Sequence, residues 1–113
     1  MARYEGNLRE IIGLVRDAGI APAWIRTTHI NETLHNARNT AFRRFAADLA
    51  AYNEAADRVM AGLDVPVADL CGFTRTLGLD EDIFCDHAHF CESVREKQAA
   101  FLSGWLAAWR HAQ

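Results

Sequence analysis

An aspartate and a histidine three positions apart, Asp86 and His89, lie in the segment Cys85-Asp86-His87-Ala88-His89-Phe90-Cys91, just ahead of a long amphipathic stretch. One turn of chain can set such a carboxylate against one imidazole nitrogen and leave the other free to take a proton from a nucleophile. The spacing predicts His89 as a general base and Asp86 as the group that orients it. A plainer expectation stands beside it, in which Asp86 caps the following helix and His89 is an ordinary surface or half-buried histidine. A third chemistry is metal binding, because Cys85, His87, His89 and Cys91 alternate and Cys71, His29 and His35 could add to them. Histidine and cysteine are the ligands zinc prefers. In an extended strand, however, Cys85 to Cys91 would span roughly 20 Å, too far for one ion unless the segment bends tightly. There is no Cys-x-x-Cys or His-x-x-x-His spacing. The expectation is therefore a dyad with no metal and no organic cofactor.

The elements that must position this segment can be read in order. Asn7 can cap a first helix, with Leu8, Ile11, Ile12 and Val15 on one buried face and Gly19 as its stop. Ile20 to Thr27 is short, apolar and carries Pro22 near its start, which predicts a buried strand. Thr28 to Asn39 is polar and predicts a loop. A long helix is expected from about Thr40 to Leu63, with Phe42, Phe45, Leu49, Tyr52, Ala56, Val59, Met60 and Leu63 on its apolar side. Val65 to Leu70 predicts a second buried strand, Cys71 to Leu79 a small helix or turn, and Asp80-Glu81-Asp82 a solvated loop. A last helix is expected from about Glu92 to Arg110, its Phe101, Trp105 and Trp109 forming a core stripe. Asp69 is expected to cap the segment after the second strand, and Cys85 and Cys91 to be small buried cysteines. Helix and strand alternate, which predicts α/β layering with parallel strands and a right-handed crossover. Chemistry in such sheets gathers at the carboxyl ends of strands.

Composition bounds the rest. With 113 residues, half of them hydrophobic, the chain fits a single domain with a modest core. A net charge of −3 without a basic cluster argues against nucleic acid as a partner. No apolar run approaches the ~20 residues of a membrane span. Three cysteines, an odd number, fit a reducing compartment better than a disulfide framework, so a cytoplasmic protein is expected.

Four pieces in this order resemble the C-terminal half of an SGNH (GDSL-type) hydrolase. Tyr4-x-x-Asn7-Leu8-x-x-Ile11-Ile12 with Arg16-x-x-Gly19 looks like the helix before that family's fourth strand. Tyr52-Asn53 looks like its frequent Tyr-Asn dipeptide, and Val67-Ala68-Asp69-Leu70 like its last strand. Asp86-His87-Ala88-His89 is similar to its Asp-x-x-His block. The resemblance implies a three-layer, flavodoxin-like α/β parallel sheet, of which residues 1–113 are a C-terminal portion with about two strands and flanking helices. It implies an esterase acting on a small-molecule ester, with His89 as base and Asp86 as orienter. The family's Gly-Asp-Ser block, its oxyanion glycine and its Gly-x-Asn-Asp asparagine have no counterpart here. Val94 stands where the family has a glycine after the base. The nucleophilic serine would then come from a missing N-terminal half or a second chain. The alternative function is a non-catalytic interaction or zinc-binding module built on the Cys/His cluster.

Overall fold

The computed structural model describes residues 1–38 and 41–113. Along them run α1 (Ala2–Asp17), β1 (Trp24–Ile25), α2 (Glu32–Arg38), α3 (Ala46–Gly62), β2 (Val67–Ala68), α4 (Leu70–Arg75), α5 (Asp80–Ile83) and α6 (Glu92–Ala112). No helix among them is long and apolar enough to cross a membrane.

The first helix starts earlier than Asn7 can cap, at Ala2, and ends where Gly19 adopts a left-handed φ of 74°. That conformation lets Gly19 and Ile20 donate backward to the carbonyls of Arg16 and Val15. Leu8 and Ile12 are buried while Ile11 is half exposed, so the buried stripe is narrower than the spacing predicts. It packs against Ala56, Val59 and Met60 of α3 and against Val65, with Tyr4, Trp24, Leu63 and Val67 at the margin. A second cluster joins Ile83, Phe84 and Val94. Between α4 and α6, Phe73 stacks on Phe101 at 4.5 Å. Beside it, Gln98 Nε2 donates to Thr74 Oγ1 at 2.9 Å, both residues being buried.

The two expected strands pair in parallel, Trp24 opposite Val67 and Ile25 opposite Ala68. The three-layer, SGNH-like α/β sheet expected around them does not form. The chain is mostly helical, and the sheet described has two strands of two residues each. The molecule's thinnest dimension is 19 Å, whereas three layers about 10 Å apart with helices outside need roughly 25 Å. The ladder is cut short by local chemistry. Trp24 and Arg26 donate to Pro66 and Ala68, at 2.9 and 3.0 Å. Pro66 itself has no N–H to return. One residue on, Thr27 turns to a side chain: its N–H donates to Asn53 Oδ1 (3.2 Å) and its carbonyl accepts from Asn53 Nδ2 (2.9 Å). On the other strand, Asp69 leaves the ladder to cap α4, its Oδ1 accepting from Gly72 N at 2.9 Å. Asp69 thus serves as the expected cap.

Three further boundaries differ from expectation. The polar stretch after β1 contains α2, opened by Asn31 Oδ1, which accepts from Leu34 N at 3.1 Å. The expected start of the long helix at Thr40 lies outside the described residues. The helix itself begins only at Ala46, so Phe42 and Phe45 precede it and are half exposed. Asp80-Glu81-Asp82 is the first turn of α5 rather than a loop.

Candidate functional site

Residues 84–91 double back on themselves as a tight hairpin. Phe84 and Phe90 form an isolated antiparallel bridge, and their rings stack at 4.6 Å. Cys85 N donates to the His89 carbonyl (2.9 Å) and Cys91 N to that of Ile83 (2.8 Å). The bend brings Asp86 over its own turn. Oδ1 accepts from the backbone N–H groups of Ala88 and His89, both at 2.7 Å. Oδ2 lies 2.8 Å from His89 Nδ1.

Three N–H groups on one carboxylate stabilise its charged form. The Ala88 amide, then the His89 ring and amide, hold the Asp86 carboxyl down from 3.8 to about 2. An ionised carboxylate only accepts, so Nδ1 is the nitrogen that carries a proton, and in the neutral ring Nε2 keeps the lone pair. The dyad geometry is therefore present: an oriented imidazole with a basic nitrogen directed away from its carboxylate. Its side chain is 72% exposed. Asp86 does not cap the last helix, which begins at Glu92 with Cys91 as its N-cap residue.

The remaining candidates separate from this pair. His87 is half-buried, with its ring 5.6 Å from that of His35. Cys85 is exposed rather than buried, Cys91 half-buried, and Cys71 buried at the start of α4. Although the hairpin supplies the bend that a single ion would need, no three His, Cys, Asp or Glu side chains among the described residues gather into a metal-holding group. The chain's two serines, Ser93 and Ser103, lie exposed on α6, and neither is hydrogen-bonded to His89 among the described residues. Trp105 and Trp109 are half-buried rather than fully enclosed, their rings 5.7 Å apart.

Two features escaped the sequence reading. His29, from the stretch expected to be loop, is buried edge-on against Phe84 at 5.6 Å and reaches Asp80 Oδ1 through Nε2 at 3.3 Å. Burial pushes its pKa down, with Arg75 adding to the effect and Asp80 opposing it. The other feature is a cleft of about 420 Å³ between the end of β1 and the start of α3, lined by Thr27, Thr28, Ile30, Arg43, Phe45 and Tyr52 among others. Residues 27, 28 and 30 face this cleft while His29 points the other way, onto the hairpin's aromatic pair. No protein-family model, no curated protein and no solved structure matches the chain.

Proposed function

We propose that the chain supplies the proton-handling half of an ester hydrolase, acting by acyl transfer through a serine contributed from outside these 113 residues. The observation that carries the reading is the clamp of Asp86 on His89 Nδ1, which leaves Nε2 as an accessible base. In this mechanism Nε2 takes the serine proton as the oxygen attacks the ester carbonyl. It returns that proton to the departing alcohol, and water repeats the cycle on the acyl-enzyme. Asp86 holds the tautomer and steadies the imidazolium that forms between the two transfers. No metal or organic cofactor enters these steps. A small-molecule ester is the substrate, and the partner is the polypeptide that bears the serine.

The test is made on the tagged full chain isolated natively from cells that express it. A co-purifying polypeptide should react with a fluorophosphonate at serine, and the assembly should hydrolyse a p-nitrophenyl ester. His89→Ala should lower both rates by roughly a hundredfold or more, while the purified chain alone stays at the buffer rate. Labelling and turnover indifferent to His89→Ala would remove the base from the mechanism. Rapid hydrolysis by the isolated chain would remove the need for an outside serine.

A further inference from the structure

The cleft beside α3 is a built site whose walls are fixed from behind. One wall is the chain leaving β1, held at Thr27 by the two-point bond from Asn53, which is itself buried. The other wall begins with residues 43–45, ahead of α3. Asn36 of α2 holds it in the same manner: its Oδ1 accepts from Arg44 N at 2.9 Å and its Nδ2 donates to the Arg44 carbonyl at 2.8 Å. Glu32 adds a third point, accepting from Ala46 N at 2.6 Å. Tyr52, further along the cleft, is braced by an edge-on contact with Tyr4 of α1 at 4.8 Å.

What these walls present is selective. Ile30, Phe45, Leu49 and Tyr52 give the cleft an apolar floor, and Phe45 and Tyr52 remain about half exposed there. Open aromatic surface beside a cavity of about 420 Å³ is what a small-ligand site offers. Arg43 and Arg44 both line the cleft, and Asp48 is the single carboxylate set against them. Arg44 lies over the Phe42 ring at 5.0 Å, whereas Arg43 makes no ion pair among the described residues. Arg43, without a carboxylate partner among those residues, favours a planar anion that can accept paired N–H bonds, and the floor favours a hydrocarbon chain or ring.

We propose that this cleft binds a small amphipathic monocarboxylate, its carboxylate at Arg43 and its apolar body along Ile30, Phe45, Leu49 and Tyr52. The assignment does not depend on the acyl-transfer reading, because it concerns binding and not turnover.

Amide NMR titration of the full chain with octanoate, octanol and octylammonium tests it. Octanoate should shift the amides of residues 27–30 and 44–52 and bind more tightly than octanol, with octylammonium weakest. Arg43→Glu, an exposed replacement whose fold is checked by circular dichroism, should weaken octanoate by about tenfold, which is 1.4 kcal/mol, and alter octanol little. His89→Ala should leave octanoate binding unchanged, so loss of the base and loss of the cleft are told apart. The assignment is overturned if octylammonium binds as well as octanoate or if the shifts fall elsewhere. Indifference to Arg43→Glu, or the absence of any shift at several millimolar octanoate, overturns it as well.

Discussion

Replacing Asn53 offers the sharpest check on how the end of β1 is held. Its carboxamide is buried and satisfies both backbone groups of Thr27, at 3.2 and 2.9 Å. Asn53→Ala removes two hydrogen bonds and leaves a part-buried N–H and C=O without their partner. At about 1 kcal/mol for each bond and more for each group left unpaired, the loss is roughly 2–4 kcal/mol. Asn53→Asp is the more discriminating change because it keeps the shape. Its carboxylate still accepts from Thr27 N, but its second oxygen now faces the Thr27 carbonyl with no hydrogen to donate. Protonation restores a donor, so the folded state raises the pKa of the new carboxyl. A raised folded pKa means stability that is present at low pH and lost as pH rises through that pKa. A shift of two pH units corresponds to roughly 2.7 kcal/mol, so Asn53→Asp should be far weaker than the parent at pH 7 and closer to it near pH 4. Urea unfolding followed by the helical circular dichroism signal reads this directly. A deficit that stays constant across that range, or an Asn53→Ala cost below about 0.5 kcal/mol, would mean that the clamp is incidental.

Two further outcomes concern charge. The Asp86 carboxyl, followed by carbon NMR, should titrate near pH 2 rather than near 3.8; because its folded pKa is depressed, the turn's stabilisation should be complete above the unfolded value and lost as pH falls through the folded one. A midpoint near 3.8 would show that the three N–H contacts do not persist in solution. For His29, whose pKa burial lowers from 6.5, the unfolded chain binds more protons just below that value, so stability should fall as the solution is acidified from pH 6.5. His29→Gln should flatten that dependence, and an unchanged slope would exclude His29 as its source.

The legible parts of this chain were those whose causes lie close in sequence. Gly19 ends the first helix because a left-handed residue is needed there, and Asp69 caps α4 because its carboxylate reaches the amide three residues on. The Asp86–His89 contact belongs to the same class. What escaped was long-range or competitive. The apolar runs around Ile25 and Val67 do become strands, but nothing in either run shows that Asn53 will take over Thr27 and limit the ladder to two residues. Counting apolar segments suggests a layered sheet; the described strands, two of two residues each, decide against it. Phe42 and Phe45 fit the period of the long helix, yet they lie in the approach to it, which Asn36 and Glu32 of α2 pin at Arg44 and Ala46. One local signal does mark that helix: Asn31-Glu32 is a helix-opening pair, and Asn31 Oδ1 accepts from Leu34 N, with His35 buried next to it.

The hairpin at residues 84–90 closes over so short a stretch that the facing of its imidazole is settled by neighbours along the chain and not by the tertiary fold. Such a motif is portable: it can be joined to different scaffolds, or sit at a boundary between polypeptides, without relearning where its proton goes. Because the outward nitrogen is left bare to solvent, all discrimination among reactants must come from whatever surface is laid across it.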